Sequence, residues 1–555
     1  METLTVQHAG RQSIVAVDRD KFSADAIALL AQGHEEAMPR NFGFWSTLSL
    51  AFVITNSWVG YSTTFGVCLV TGNGPTVIFG LLVATIVCSI ITAGLAELAS
   101  AFPSSGGQYH FAFMVSSPAY RAPVSFAVGW LSIFAWWMAT AAACIVCAQI
   151  IMFLAGLWHD DFAAAQWQTY LVYLAVLVIA ISFVIFFMRQ IPKAEIVFFG
   201  MTLVGFVVFF ICVLARSAPK QSAKTVFTDF VNITGWTDGF AFMLGASQAM
   251  FTYLAIDGAT HVAEEMPNPG KGVPRAMGLT MFIGMITVFM WTLAFMFSTS
   301  DLEAVAASGV PIITVYQQAL RSKVGATVFA VWLLTIFFGA FVSCLVTCGR
   351  LVWAFARDNG LPYSKIFDKI HPKLNAPINS TILTGVFLAC YGAIYIGSTN
   401  AFNSFISLSI LGMNMTYVIP QAIVFLRGRD KVLPPRQFSL GPWLGPCCNA
   451  FSCVWVFFVG ILFCFPLTRP VTKDNMNYLS VVLSGLCLFT LVCWYAGKRK
   501  TFTGPNIDLI GINLVQSNGR QAPDDMKEQA HGKLAADTES TALPAPGTST
   551  TESNA

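Results

Sequence analysis

The sequence predicts an all-α polytopic membrane protein with twelve transmembrane helices, arranged as a five-plus-five inverted repeat in which helices 1 and 6 are broken. Charged residues make up only 11% of the 555 residues, against about 25% in an ordinary soluble protein. Apolar residues fall in blocks of roughly 20, the length that crosses about 30 Å of hydrocarbon. Polar residues interrupt two of these blocks near their middles. This composition excludes a soluble enzyme and a disordered protein, and the net charge of +3 does not indicate a nucleic-acid partner.

The candidate spans follow from the apolar blocks, taken in chain order. No cleavable signal peptide is expected before them, because residues 1–43 are polar and mixed in charge. The predicted spans are residues 44–70, 75–101, 122–155, 166–187, 192–215, 240–263, 275–298, 324–355, 378–397, 402–426, 447–468 and 478–497.

The distribution of positive charge orients these spans. An even number of spans places both termini on the same side of the membrane. With both termini in the cytosol, 24 of the 31 lysines and arginines fall in cytosolic segments and 7 in outer loops. Because cytosolic loops carry an excess of Lys and Arg, this split predicts cytosolic termini and supports the span count.

Both tails are expected to lie outside the membrane. In the N-terminal tail, residues 1–43, Ser23 can cap a short helix that runs to Glu35. The C-terminal tail, residues 498–555, becomes polar and rich in Gly, Pro, Ser and Thr, which predicts a largely disordered segment. The scattered histidines and the absence of paired C-x-x-C motifs give no support for a metal site, and no cofactor is expected.

The interruption in span 6 contains the acidic residue that falls nearest the middle of any predicted span. Asp257 lies in the stretch from Tyr253 to Thr260, between Ile256 and Gly258, and the glycine tolerates a break in the helix. Charged groups inside a membrane are costly and usually functional. Asp257 therefore either binds a ligand or a proton, or satisfies freed backbone amides and a neighbouring hydroxyl; the two roles are compatible.

A matching interruption occurs in span 1. Residues 55–64 read T-N-S-W-V-G-Y-S-T-T, so that Asn56, Ser57, Trp58 and Gly60 stand halfway across an otherwise apolar block. The two interruptions are five helices apart, and an odd separation makes the two helices antiparallel. Broken antiparallel helices that meet at the midplane are typical of inverted-repeat transporters, in which half-helix ends bind substrates and ions. The sequence shows no cluster of catalytic residues that would indicate an enzyme. It also shows no polar stripe along several helices that would indicate a channel.

Three loop motifs resemble the amino acid–polyamine–organocation superfamily of transporters. Residues 96–109 read A-E-L-A-S-A-F-P-S-S-G-G-Q-Y, residues 264–274 read E-E-M-P-N-P-G-K-G-V-P, and residues 356–362 read A-R-D-N-G-L-P. Each is similar to a signature that this superfamily carries in a cytosolic loop. The resemblance covers roughly residues 25–500.

Within the superfamily the chain is most similar to the fungal amino acid/choline permease branch, through residues 55–60, the A-T-H at 259–261, and residues 471–478. The resemblance implies a ten-helix transport core at 44–426, two peripheral helices at 427–497, and no enzymatic activity. The chain departs from the superfamily in two ways. Many members have a G-x-G break in span 1, of which only Gly60 remains here. No lysine lies inside span 5, where some proton-coupled relatives use one.

The candidate substrate site combines the two breaks with neighbouring helices. Aromatic faces attract ammonium groups, so Trp58 and Tyr253 at the breaks and Trp136 in span 3 are candidates, although packing is the favoured reading for Trp136. Ser343 in span 8 and Asn414 and Tyr417 in span 10 can approach the site or form helix–helix hydrogen bonds. Asn232, in an outer loop, lies in an N-x-T sequon and is a candidate glycosylation site.

These observations predict a secondary active permease that works by alternating access in a lipid membrane. Its substrate is expected to be a small molecule, either a choline-like amine or an amino acid such as γ-aminobutyrate, with a proton as the coupling ion. The plasma membrane is the expected location, and the vacuolar membrane is the alternative. A transporter-like nutrient sensor without flux is the second hypothesis, and short tails disfavour it.

Overall fold

The apolar blocks form helices throughout the part of the chain that the structure describes. The structure is a computed structural model, and it describes residues 2–8, 11–17, 40–159, 161–472, 475–502 and 504–505. The helix predicted from Ser23 to Glu35 and nearly all of the predicted disordered C-terminal tail lie outside the described residues. Two N-terminal strands, Glu2–His8 and Arg11–Val17, pair as an antiparallel hairpin.

Eleven helical segments among the described residues are long and apolar enough to cross a membrane. The first, Phe44–Ala101, has 58 residues, which at 1.5 Å per residue is about 87 Å and far exceeds one bilayer. Non-helical backbone at Gly72 and Asn73 divides this segment into two spans. The division gives the twelve spans that the sequence predicts.

The spans, numbered in chain order, agree closely with the predicted ones. Span 7 begins six residues earlier than predicted, because Pro269 occupies its first position, where proline is favoured, and the helix continues through Pro274. Span 11 is shifted by six residues toward the N-terminus, with Pro442 in its first turn. The bounds are 44–75 for span 1, 76–101 for span 2, Arg121–Trp158, Gln166–Phe186, Ile191–Arg216, Asp238–Glu265, Pro269–Ser298, Lys323–Arg357, Ile378–Gly397, Thr399–Arg427, Gly441–Leu462, and Leu479–Thr501 for span 12.

Short helices occupy the connections between the spans. The connection between spans 2 and 3 contains the helix Gln108–Val115, called here the loop helix. The remaining short helices are Met188–Gln190, Ala223–Phe227, Leu302–Ala306, Pro311–Leu320, Ser364–Phe367 and Arg429–Val432.

Spans 1 and 6 are broken where the sequence predicts. Asn56 adopts a left-handed conformation (φ 32°) between half-helix 1a, Phe44–Thr55, and half-helix 1b, Ser57–Pro75. In span 6, extended Leu254 and left-handed Ala255 (φ 60°) separate half-helix 6a, residues 238–253, from half-helix 6b, Ile256–Glu265. Half-helix 6b has 3-10 geometry. The predicted pair of broken helices is confirmed.

The broken helices pack at the centre of the helix bundle. Half-helix 1a contacts spans 5, 7 and 8 together with half-helix 6b, and half-helix 1b contacts half-helix 6a. Span 3 packs against spans 8 and 10. Span 11 packs against spans 2 and 10, and span 12 against spans 3 and 10. Only 28% of the most apolar stretch of span 11 and 11% of that of span 12 are buried, against 72% for span 10. The division into a ten-helix core and two peripheral helices stays a prediction.

Candidate functional site

Asp257 lies at the start of half-helix 6b and is 1% exposed. Its Oδ1 accepts a hydrogen bond of 2.6 Å from the Tyr417 hydroxyl. Its Oδ2 lies 2.8 Å from Nε2 of Gln108, 3.1 Å from Nε1 of Trp136 and 3.1 Å from Nε2 of His261. The carboxylate therefore joins half-helix 6b to the loop helix, span 3 and span 10.

His261 lies beside Asp257 on half-helix 6b. It follows Asp257 by four residues, and its Nε2 lies 3.1 Å from Oδ2 of Asp257. The imidazole is fully buried, and its Nδ1 lies 3.0 Å from the main-chain oxygen of Ser105. The ring meets Trp136 edge to face, with centroids 5.5 Å apart.

The two glycines before the loop helix, Gly106 and Gly107, explain how the main chain comes close to the imidazole of His261. Gly107 has φ +59° and ψ −130°, a conformation that is essentially restricted to glycine. A Cβ atom at this position would lie 2.8 Å from Cε1 of His261. The bare backbone at Gly107 thus allows the Ser105 carbonyl to reach His261 and Gln108 to reach Asp257.

The other residues predicted near Asp257 have different contacts. A Cβ atom at Gly258 would lie 3.0 Å from Ile54 and 3.8 Å from Trp136, so this glycine faces both span 1 and span 3. Ile256 is buried. Asn414 lies one turn before Tyr417 and donates to the Ile410 carbonyl of its own helix.

At the break in span 1, the predicted residues point toward spans 5 and 7. Asn56 Nδ2 lies 3.5 Å from the hydroxyl oxygen of Thr202. Ser57 faces Gly284 of span 7, where a Cβ atom would lie 2.4 Å from its hydroxyl oxygen. Trp58 is fully buried in an aromatic cluster, with ring centroids 6.0, 5.8 and 5.5 Å from Phe206, Phe209 and Trp291.

The remaining predicted residues lie on other faces of the bundle. A Cβ atom at Gly60 would lie 3.6 Å from the Thr55 carbonyl oxygen. Tyr253, just before the break in span 6, has its hydroxyl 2.8 Å from that of Thr85 in span 2. Ser343 lies 2.7 Å from a carboxyl oxygen of Glu195 in span 5. Of the residues that the sequence places near the site, Trp136 and Tyr417 form hydrogen bonds with Asp257.

Three polar groups at or near the site do not appear among the residues predicted from the sequence. His261 could be found from its i,i+4 spacing to Asp257, and Gln108 directly follows the glycine pair of the loop motif. Glu195 is fully buried one turn inside span 5, close enough to the predicted cytosolic end to be read as an interfacial residue. Only the folded chain shows that these groups face inward.

Buried ion pairs close the end of the bundle that is predicted to be cytosolic. Glu264 bonds to the Arg357 guanidinium at 2.8 and 3.1 Å and to the Ser105 amide at 3.0 Å. Glu265 binds Arg350 of span 8 through both carboxyl oxygens. Half-helix 6b is therefore tied to span 8 and to the chain before the loop helix.

Two further contacts lie at the same end. The Tyr109 hydroxyl donates to Asp358 at 3.0 Å. Burial raises the pKa of Asp358 to about 6, although neighbouring Arg357 and the Tyr109 hydroxyl oppose this rise. Glu97 of span 2 binds Arg429 and Arg436, which follow span 10. These contacts join the loop helix to the end of span 8, and span 2 to the chain that follows span 10.

Asn232 lies outside this site. Its side chain is partly exposed, and its Nδ2 donates to the Trp236 carbonyl and to Asp238. The Thr234 hydroxyl lies 2.6 Å from Asn232 Oδ1. Glycosylation there stays a prediction. Within the described residues, no cluster of His, Cys, Asp or Glu has the geometry to hold a metal ion.

Comparisons with known proteins identify the family. The sequence profile of an amino acid permease family matches residues 42–487. A choline transporter of Saccharomyces cerevisiae is 31% identical over 86% of this chain and 85% of its own length. The transmembrane transporter swnT of Metarhizium robertsii is 29% identical over 84% of this chain and 94% of its own length. The amino-acid permease BAT1 of Arabidopsis thaliana is 26% identical over 89% and 98%, respectively.

These relatives are transporters rather than enzymes, in agreement with the resemblance of the loop motifs. A profile that covers most of the chain, together with its apolar helices, establishes a multi-pass integral membrane protein with a small-molecule substrate. The chain belongs to the amino acid permease family of the amino acid–polyamine–organocation superfamily, as a transporter of amino acids or related amines.

Proposed function

We propose that this permease carries a small substrate with an ammonium group, choline or γ-aminobutyrate, by alternating access at the plasma membrane, with a proton as the coupling ion. The observation that carries the proposal is the buried carboxylate of Asp257 at the break in span 6. A carboxylate in this position is costly unless it serves binding or transport. It provides a negative charge for a cationic substrate or for a proton.

Aromatic and unpartnered polar groups around the breaks support a substrate with an ammonium group. Trp136 and Tyr417 both bond to Asp257 and place aromatic rings beside its charge, which suits a quaternary or primary ammonium group. The side-chain oxygens of Thr55, Asn56 and Ser57 are buried without a hydrogen-bond partner among the described residues. Buried polar atoms normally have partners, so these oxygens suit the polar end of a substrate.

Half-helix 1b offers a second electrostatic feature. The first amides of Ser57–Pro75 have no carbonyl one turn earlier in the same half-helix, and half-helix N-termini attract anionic groups. A substrate carboxylate, as in γ-aminobutyrate, suits this end. Choline has no carboxylate, so it would use only the aromatic rings and the carboxylate of Asp257. The choline transporter of Saccharomyces cerevisiae is a relative of this chain. Both substrates share the ammonium group on which the proposal depends.

The experiment is uptake of radiolabelled choline, γ-aminobutyrate and neutral amino acids by yeast that lacks its own permeases for them. Expression of this chain should give saturable uptake of choline or γ-aminobutyrate that a protonophore abolishes. Uptake restricted to neutral amino acids other than γ-aminobutyrate would contradict choline and γ-aminobutyrate as the substrates. A chain that reaches the plasma membrane but carries none of the probes would contradict transport and favour the sensor hypothesis. A fluorescent tag found on the vacuole would contradict the proposed location.

A further inference from the structure

Both ring nitrogens of His261 face oxygen atoms. Nδ1 lies 3.0 Å from the Ser105 carbonyl oxygen, and Nε2 lies 3.1 Å from Oδ2 of Asp257. A carbonyl oxygen can only accept, so Nδ1 must carry a hydrogen in this contact. A neutral imidazole has one N–H group, and its Nε2 would then face the carboxylate as a second acceptor. The geometry therefore requires one more proton between His261 and Asp257.

The other partners of Asp257 place this proton on the imidazole. Oδ2 also lies within hydrogen-bond distance of Nε2 of Gln108 and Nε1 of Trp136, and both nitrogens can only donate. An ionised carboxylate accepts all of these hydrogen bonds, whereas a protonated Oδ2 would lose acceptor capacity toward them. The arrangement thus matches an imidazolium paired with a carboxylate, which carries no net charge within span 6.

We infer that His261 is the proton-binding residue of this permease, and that its proton holds half-helix 6b against Ser105 and so keeps the cytosolic side closed. The inference rests on the proposed proton-coupled transport and assigns the coupling ion to one residue. Loss of the proton leaves one N–H group for two acceptors, so either the Ser105 contact or the Asp257 contact must be lost. Protonation and closure of this end of the bundle are then a single event.

The same geometry couples the proton to the position of the chain before the loop helix. A proton that arrives from outside completes both contacts of His261 and holds the chain before the loop helix in place. Gly107 packs directly on the ring, so movement of this part of the chain away from half-helix 6b separates the Ser105 carbonyl from the imidazole. The imidazolium then loses one of its two acceptors. Proton binding is therefore linked to the closed arrangement of this end of the bundle.

The surrounding groups leave His261 as the group that can change charge beside Asp257. Glu264 and Glu265, on the same half-helix, are paired with Arg357 and Arg350. Half-helix 1a carries no titratable side chain. The titratable groups on the other elements packed against half-helix 6b include Tyr417 of span 10, Cys344, Cys348, Arg350 and Arg357 of span 8, Tyr109 and His110 of the loop helix, Cys88 and Glu97 of span 2, and Lys271 and Arg275 at the start of span 7.

The test compares two measurements on the full chain in liposomes, with whichever of labelled choline and γ-aminobutyrate the wild type carries. Accumulation driven by an inward proton gradient requires proton coupling, whereas counterflow at equal pH does not. In His261→Gln, gradient-driven accumulation should fall at least about tenfold, equivalent to about 1.4 kcal/mol, while counterflow falls much less. The pH dependence of uptake should flatten as well.

A matched control is available in His110, which is also fully buried. Burial lowers the pKa of His110 to about 3, so this side chain stays neutral across the assay range. His110→Gln should keep both the gradient response and the pH profile of the wild type. If His261→Gln does not reach the membrane, His261→Asn provides the second variant, because an asparagine amide cannot bind the proton either and Asp257 stays unchanged.

The outcomes separate this inference from the proposed function. If His261→Gln or its substitute accumulates substrate as steeply with the proton gradient as wild type, the proton assignment is wrong while transport stands. Loss of coupling in Glu195→Gln, with coupling retained in His261→Gln, would identify Glu195 of span 5 as the proton-binding residue instead. A wild type that shows counterflow but ignores the gradient would contradict proton coupling itself. A wild type without counterflow would contradict transport.

Discussion

The Tyr417 hydroxyl donates a 2.6 Å hydrogen bond to Oδ1 of Asp257. Tyr417 lies in span 10 and Asp257 in span 6, the last and first helices of the second predicted repeat. The other oxygen of Asp257 receives Trp136 of span 3 and Gln108 of the loop helix, which belong to the first repeat. One carboxylate therefore joins both repeats, and movement of one repeat against the other must change its hydrogen bonds.

The bond from Tyr417 can be removed without changing the shape of the ring. Tyr417→Phe should lower the initial uptake rate about tenfold or more, since a hydrogen bond to a charged group contributes about 1.5–3 kcal/mol. The matched control is Tyr170→Phe, which removes a bond to the Ala389 carbonyl on a partly buried face of span 4. The control should transport at nearly the wild-type rate. Equal uptake by the two variants, at equal surface abundance, would show that the Tyr417 bond has no role in transport.

Gly107 is predicted to be intolerant of any side chain. Gly107→Ala should destabilise the protein by about 1–3 kcal/mol through its positive φ and should displace His261, whose Cε1 lies 2.8 Å from the added Cβ. Gly278→Ala is the control: it lies in span 7, and its Cβ would meet no atom within 4 Å. This control should be neutral or stabilising by about 0.5–1 kcal/mol. Thermal unfolding in detergent, together with uptake, measures both effects, and an unaffected Gly107→Ala would contradict the close packing.

The buried pair of Glu265 and Arg350 should contribute far more than a surface pair. Arg350→Gln leaves the Glu265 carboxylate buried without its partner, which should cost about 3–5 kcal/mol of stability. The surface pair of Lys224 and Asp229 serves as the control, with Lys224 79% exposed. Asp229→Asn should cost at most about 1 kcal/mol. Similar shifts of the melting temperature in the two variants would show that the Glu265–Arg350 pair does not hold spans 6 and 8 together.

The orientation in the membrane can be tested with single added cysteines. Lys224 lies in a predicted outer loop and Lys365 in a predicted cytosolic one, and both side chains are exposed. An impermeant maleimide should label Lys224→Cys in intact cells, but Lys365→Cys only after permeabilisation, with the parent chain as background. The reverse pattern would overturn the assignment of 24 positive charges to the cytosolic side.

The fold follows from the sequence because its determinants are local. Runs of apolar residues predict the twelve spans, and the polar runs around Asn56 and Asp257 predict the two breaks. The shift of span 11 arises because Pro442 falls in its first turn, where proline is tolerated, and the helix continues through Pro446, whereas a pattern of apolar residues places the start after both prolines. Local sequence patterns therefore predict which helices form better than they predict the residues at which each helix begins and ends.

The site was harder to predict because its contacts cross between helices. Sequence reasoning singles out Asp257 and Trp136, and the structure places them in contact. It also groups Trp58 with Asp257, whereas the indole of Trp58 packs against aromatic rings of spans 5 and 7. Which face of an apolar helix meets which neighbour depends on side-chain packing across the bundle. Gln108 and Ser105 reach the site only because the chain turns back at Gly107.

The account depends most on the charge of Asp257, and Asp257→Asn tests it most directly. Asparagine keeps the volume of the side chain and can still accept hydrogen bonds from Trp136 and Gln108, but it carries no charge. The matched control is Asp229→Asn, which makes the same change on an outer loop. The measurement is the initial rate of labelled choline and γ-aminobutyrate uptake at equal surface abundance.

We expect uptake by Asp257→Asn to fall at least about tenfold, which requires a loss of only about 1.4 kcal/mol of interaction free energy, while Asp229→Asn stays near the wild-type rate. Near-normal uptake by Asp257→Asn would contradict the account, because it would reduce the carboxylate to a hydrogen-bond acceptor that an uncharged amide replaces.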